Sequence, residues 1–230
     1  MSKTTIPTGG ITADAIDSTL IADDAINSEH YTDGSIDTAH IADSQVTAVK
    51  TSGVGGRSTL LSTTTLSSSA SSFDMTDVMS DTYNNYRLVF FNGTVSADGS
   101  DIRITFFTGS GTGGHLASAD EYRYFTNQLI TDDTDNRTVN TSTAYYPPNK
   151  TGIGNAADES FNGDILIYNA RSTSLSTLLH SQLSYTSSTG HAVGIRSECI
   201  IKPTNALTGL RFELASGNMD SGTFKLYGLE

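Results

Sequence analysis

The sequence predicts an all-β protein: an N-terminal extended repeat stalk, three-chained, followed by an antiparallel β-sandwich of jelly-roll type. Three observations carry this. Large apolar residues recur every five positions through the first fifty residues; that period stops in a glycine-containing stretch; and from there on, short runs rich in β-branched and aromatic residues are separated by Gly, Asn, Asp and Ser.

The repeat comes first. Ile6, Ile11, Ile16, Ile21, Ile26, Tyr31, Ile36, Ile41 and Val46 stand five apart, with almost only Ala, Ser, Thr, Asp, Asn, Glu and His between them. A period of ten is superimposed: Asp17, Asn27 and Asp37 each follow an Ile, Ser18, Ser28 and Thr38 come next, and Asp23, Asp33 and Asp43 recur further on. Five residues advance an α-helix by about 500° and alternate sides in a strand, so neither element gives the large residues one shared face. A short extended piece, a turn and a second short piece per ten residues does so, and Asp33-Gly34 is the strongest turn signal.

Ordering five residues costs about 5–10 kcal/mol of backbone entropy, whereas burying one Ile returns about 1.5–3 kcal/mol. A lone chain does not hold such a shape. Identical chains wound together bury the ladder, so a homotrimer is expected, with the nine large residues on its axis. The competing readings of this segment are a disordered acidic tail and a pentapeptide-repeat β-helix. Nine in-phase large residues argue against the first, and room for only about two coils against the second.

Residues 47–57 lose the period and gain glycine. This places a stalk or anchor at 1–50, a linker at 51–57 and a head at 58–230. Within the head, strands are expected at 58–66, 86–96, 101–108, 122–130, 164–169, 176–185, 193–202, 210–215 and 223–229. In 101–106, Ile102, Ile104 and Phe106 share one side, and in 222–227 Phe224 and Leu226 do so, each giving one dry and one wet face. Short helical turns are expected at 73–80 and 116–121. The loops 110–120 and 131–157 are the expected partner surface.

Thirty Ser and 33 Thr outnumber the charged residues, 17% of the chain, so hydroxyls keep this surface wet. Eight acidic and two basic residues leave −6 on the first fifty residues, and seventeen acidic against eleven basic leave −6 on the other 180. An acidic chain repels phosphate, which argues against nucleic acid. No apolar run approaches the roughly 18 residues of a membrane span, so membrane insertion is not expected. One cysteine, Cys199, excludes an intrachain disulfide and a multi-cysteine zinc site, and its neighbours Ile195, Ile200 and Ile201 make it a small core residue.

No catalytic residues, cofactor or metal site are expected. Gly109–Gly114 lacks the Lys-Ser/Thr of a phosphate-binding loop. Asp132, Asp133 and Asp135 form an acidic loop without the glycine and terminal Glu of an EF-hand. His30 and His40 share one repeat phase and pack beside the axis, while His115, His180 and His191 belong to no recognised motif. For sugars, Tyr122, Tyr124, Tyr145, Tyr146 and Asn149 offer aromatic faces and an amide, and they are the candidate glycan-binding set.

The stretch Gly34-Ser-Ile-Asp-Thr-Ala-His-Ile-Ala-Asp-Ser-Gln-Val-Thr47 resembles the short repeats of tail fibres and other virion appendages of tailed bacteriophages. Ser221-Gly-Thr-Phe-Lys-Leu-Tyr-Gly-Leu-Glu230 is similar to the closing strand of small β-domains in phage structural proteins. The repeat region 1–50 and this closing strand together cover about a quarter of the chain, and neither is a catalytic signature. The resemblance implies a non-enzymatic virion structural protein at the particle surface, a short homotrimeric fibre or spike. Its partners would be itself, other virion proteins of capsid or tail held through the repeat, and host-surface glycans met by the head. A capsid decoration or cement protein is the main alternative, and a carbohydrate-binding or hydrolytic cell-surface protein the second. The brevity of the repeat favours a short spike, head fibre or cement protein over a long tail fibre.

Overall fold

The computed structural model describes residues 9–12, 19–21, 29, 31–36, 38–42, 58–132 and 135–229, the side chains of 135, 136 and 141 apart. The chain divides into two compact units, Met1–Gly56 and Arg57–Glu230.

The N-terminal unit repeats its local conformation along with its sequence. The chain turns at Gly9-Gly10 and Thr19-Leu20 and again in the 3₁₀ turn Thr38–His40, and it bends at Ile11, Ile21, Tyr31 and Ile41, one decapeptide apart. Within the third unit, the Ser35 amide donates to the Thr32 carbonyl at 2.9 Å, closing a turn over Asp33-Gly34. Gly34 has φ of +79°, a conformation that glycine adopts without a Cβ penalty. The ladder residues Ile6, Ile16, Ile26 and Val46, and His30, lie outside the described residues.

The second unit is all-β and antiparallel, with eleven strands and no α-helix among the described residues. The strands are β1 (Ser58–Leu66), β2 (Ser72–Met75), β3 (Asn85–Val95), β4 (Ile102–Phe107), β5 (Tyr122–Ile130), β6 (Asp135–Thr143), β7 (Phe161–Tyr168), β8 (Thr177–Thr186), β9 (Ala192–Ile201), β10 (Gly209–Leu214) and β11 (Met219–Leu229). An eight-stranded sheet runs β1-β11-β3-β7-β8-β9-β5-β6 and a three-stranded sheet runs β2-β10-β4. Nine strands fall where alternation predicts them. The other two, β2 and β6, correct the sequence reading. Residues 72–75 form β2 rather than a helical turn, because Phe73 must reach the core and pairs opposite Phe212 of β10. Leu116 is likewise not helical: it bridges to Phe106 at the edge of β4.

The two sheets pack through an aromatic core. Phe212 of β10 lies 4.9 Å from Phe224 and 5.3 Å from Phe90 on the large sheet, and Phe73 of β2 lies 4.5 Å from Phe224. Phe161 completes the cluster. The rings lie over glycines of neighbouring strands: a Cβ on Gly163 would sit 2.3 Å from the Phe90 ring, and one on Gly93 2.2 Å from Phe161. Glycine inside a strand weakens it, and here the space it leaves is filled by an aromatic ring.

The far half of the large sheet is built differently. Its inner face carries a buried hydroxyl row, Ser181 (β8), Ser197 (β9) and Thr126 (β5), opposite one another in register. Across it runs a strap, residues 144–154, held by polar groups. The Tyr146 and Ser181 hydroxyls share a hydrogen bond at 2.6 Å, and Ser197 Oγ donates to the Pro148 carbonyl at 3.1 Å. Gln128 bonds Thr151 through its amide nitrogen, while its Oε1 accepts from the Thr151 amide and from the Tyr185 hydroxyl. Ser181, Ser197 and Gln128 are tolerated inside because each finds a partner, whereas the buried Thr126 hydroxyl has none among the described residues. The segment 131–157, read from sequence as one surface loop, is therefore strand β6 followed by this strap. Residues 133–134 lie outside the described part.

Candidate functional site

Outside the core, the outer face of the large sheet is the surface with the most to offer a partner. The strand register lays a continuous row across all eight strands: Leu60, Tyr227, Arg87, Leu166, His180, Glu198, Phe125 and Val139. Beside it on β8 and β9 stand Leu178 and Ile200, paired in register and both exposed, with Tyr168 of β7 next to them. Antiparallel sheets with one solvated face normally present polar residues there. Here Leu178, Ile200, Phe125 and Val139 surround a groove of about 380 Å³. A second groove, of about 530 Å³, lies at the other end of the same strands and is lined by Leu129, Ser184, Ala192 and Gly194. Leu129, 65% exposed, is the barest large apolar side chain of this unit among the described residues.

The charges on this face are partly matched and partly free. Arg87 is held to Asp164 by two strands' register, with Nε 2.9 Å from each carboxylate oxygen, and this pairing raises the guanidinium's pKa above its ordinary value. His180 Nδ1 lies 2.5 Å from Glu198 Oε1. Along their row this pair is flanked by Leu166 and Phe125, so no hydroxyl or thiol nucleophile stands beside it in register. Arg123, Arg137 and Arg196 are exposed and form no ion pair among the described residues.

The predicted glycan set does not form a sugar platform. Tyr122 is fully buried, its hydroxyl donating to the Leu116 carbonyl at 2.9 Å and accepting from the Phe106 amide at 3.2 Å. Tyr146 is fully buried in the strap, and burial pushes the pKa of both phenols well up. Asn149 accepts from the Ile102 amide at 2.7 Å and donates to Asp101 at 3.0 Å, fastening the strap to β4. These three residues are corrected to core roles, because every polar atom they could give a sugar is already engaged inside. Tyr124 and Tyr145 are half-buried; Tyr124 packs edge-on against Tyr146, and Tyr145 lies under Arg103 at 4.6 Å.

The other motifs find structural partners. In the glycine-rich loop the Gly111 amide already donates to the Asp77 carboxylate at 3.0 Å, so a carboxylate of the chain occupies the place of a phosphate. His115 bonds Thr105 at 2.7 Å. Cys199 is buried and its thiol pKa is pushed far up by desolvation, which removes the thiolate needed for reactivity. No group of three or more metal-ligating side chains occurs among the described residues. No family model, no curated protein and no solved structure matches this chain.

In the N-terminal unit the ladder is what stands out. Ile11, Ile21, Tyr31, Ile36 and Ile41 are 47%, 38%, 51%, 49% and 41% exposed in the single chain. The apolar outer face was missed in the sequence, although the doublets Leu178-Leu179 and Ile200-Ile201 hold its signal. Consecutive apolar residues in an antiparallel strand place one on each face.

Proposed function

We propose that this protein is a non-enzymatic structural protein of a tailed-bacteriophage virion, a short homotrimeric fibre or spike. Residues 1–50 are its three-chain stalk and attachment segment, and the head is directed at the host surface. The single observation that carries the reading is the ladder: five large side chains at one repeat phase, each left more than a third exposed by the lone chain. A segment that exposes its regularly spaced apolar residues while surrounding them with Ala, Ser, Thr and Asp is suited to burying them against copies of itself.

The head is proposed to be a jelly-roll sandwich. Strand order supports this: β1, β2, β3 and β4 alternate between the two sheets, and on return β10 enters between β2 and β4 while β11 enters between β1 and β3. That order is the one a double winding of two Greek keys would give to seven of its eight strands. Strands β5, β6, β8 and β9 extend one sheet beyond it. Three heads on one stalk bind a surface by avidity, so each contact can be weak.

The test has two arms. Sedimentation equilibrium of the full chain should give a mass three times 24.3 kDa, and a stable monomer would sink the assembly. Labelled antibody imaged on purified particles should decorate a projecting appendage; uniform decoration of the capsid shell would favour a cement protein instead.

A further inference from the structure

We infer that the outer face of β8, β9 and β5 is the docking surface for a second copy of this chain, so that the heads are joined to one another as well as through the repeat. This rests on the trimer reading above.

Four observations on one face lead to it. Leu178, Ile200, Phe125, Val139 and Leu129 are exposed, while the inner side of the same strands holds the buried Ser181, Ser197 and Thr126. The inner face already buries Leu179, Leu183, Ile195 and Cys199 around that row, so these strands carry apolar residues on both faces, and only the inner set is covered. The strap satisfies the inner hydroxyls Ser181 and Ser197; nothing within the described chain covers the outer apolar groups.

The second observation is Gly194, in the interior of β9. A Cβ added there meets no atom within 4 Å, whereas one on Gly163 or Gly93 would collide with a ring. Its φ is not positive, so neither conformation nor internal packing calls for glycine. A strand glycine without an internal reason marks a place where another backbone comes close. Gly194 opens onto the groove beside Leu129, its register partner.

Charge supplies the third. Among the described residues Arg123, Arg137 and Arg196 form no ion pair, on a unit whose charges sum to −6. Two copies of an acidic head repel except where a basic patch of one meets acidic surface of the other. Three copies about one axis use just such an unlike pairing, since an odd ring needs heterologous contacts.

The chemistry of the patch decides among occupants. Pyranose rings seek aromatic platforms, and this face offers mainly Leu, Ile and Val around Phe125, with Tyr168 at its edge. Aliphatic and aromatic anchors with interleaved arginine are the composition of a protein–protein interface core. Heads tethered through an associated repeat meet at an effective concentration of roughly millimolar, at which even a modest apolar face becomes occupied by its own kind.

The test uses the full chain in two backgrounds. Ile21→Asp with Ile36→Asp weakens the repeat, so that remaining association reports on the heads. In that background, sedimentation equilibrium should still show oligomer at high concentration. Gly194→Trp, or Arg196→Glu at an exposed position that carries no steric load, should then raise the dissociation constant at least tenfold, with the unfolding midpoint unchanged. Identical mass–concentration curves with and without these substitutions overturn the inference, as does a repeat-weakened chain that is monomeric throughout. If the unsubstituted chain is itself a monomer, the trimer reading falls too, which separates the two failures. Binding to immobilised polygalacturonate that Arg196→Glu abolishes, with mass unaffected, overturns the inference in favour of an acidic-glycan face.

Discussion

The head holds itself together in two different ways. Around β2, β10 and the β1-β11-β3-β7 portion, five Phe rings make a dry core, with glycines opening room for them. Around β5, β8 and β9, a row of buried hydroxyls crosses an inner face otherwise made of Leu179, Leu183, Ile195 and Cys199, and the strap is fastened by Gln128, Asn149, Tyr146, Ser181 and Ser197. The first half depends on area removed from water and the second on pairing, and the two respond to different damage. The second half is also where the outer face carries exposed Leu178, Ile200, Phe125 and Val139.

The widest gap between the halves should appear on truncation. Phe212 is fully buried and touches Phe73, Phe90, Phe161 and Phe224, so Phe212→Ala should cost about 3–5 kcal/mol, read by denaturant unfolding. A loss below about 1 kcal/mol would mean that the core collapses around the gap and that packing does not dominate this half.

In the polar half, damage should depend on what is left unpaired. Gln128→Leu keeps the bulk of the side chain but strands the Thr151 amide and the Tyr185 hydroxyl, with an expected loss of about 1–3 kcal/mol. The Tyr146–Ser181 pair gives a sharper version. Tyr146→Phe alone leaves the Ser181 hydroxyl without that partner, whereas Tyr146→Phe with Ser181→Ala removes both ends. The double variant should be less destabilised than the sum of the singles, as a thermodynamic cycle on unfolding free energies measures. Strict additivity would show that the hydroxyls do not act as a pair.

The two glycines divide the surfaces by sign. Gly163→Ala drives a methyl into Phe90 and Leu183 and should cost about 1–3 kcal/mol. Gly194→Ala meets open space and should leave stability unchanged or raise it by about 0.4–1 kcal/mol, through a less flexible unfolded chain. Equal losses at both positions would mean that Gly194 is required by the fold of the single chain.

Particular residues show why most strands were legible in sequence while β6 and the strap were not. Ile102, Ile104, Phe106, Phe224 and Leu226 alternate, and alternation reports one buried face directly. Strand β6 has one apolar residue with a described position, Val139, and it points outward, so the segment carried no inward signal. Ser181 and Ser197 are spelled like surface serines; only the strap that meets them makes them interior. Tyr122, Tyr146 and Asn149 failed as a sugar site for the same reason, since composition records their chemistry but not what already occupies it.

Acid titration probes the comparison at its smallest scale. Asp101 sits where the strap crosses to β4, accepting from Asn149, and burial raises its pKa above 3.8 despite opposing pulls from Asn149, Lys150 and Arg103. Below 3.8 the carboxyl is protonated in both folded and unfolded chains and contributes no pH dependence. As pH rises from there through the raised folded value, the unfolded chain loses its proton first. The native state then holds more protons than the unfolded one, and stability falls with pH across that window. Above it the penalty is constant. Asp101→Asn keeps an oxygen for the Asn149 amide and removes the charge, so it should be more stable than the parent at pH 7 by about 1 kcal/mol or less, given a hydrogen bond retained in neutral form. That advantage should shrink toward zero as pH drops below 3.8, while the other carboxylates cancel in the difference. Unfolding free energies of both proteins across this range decide it: an advantage that stays constant with pH would place the Asp101 carboxylate in water rather than under the strap.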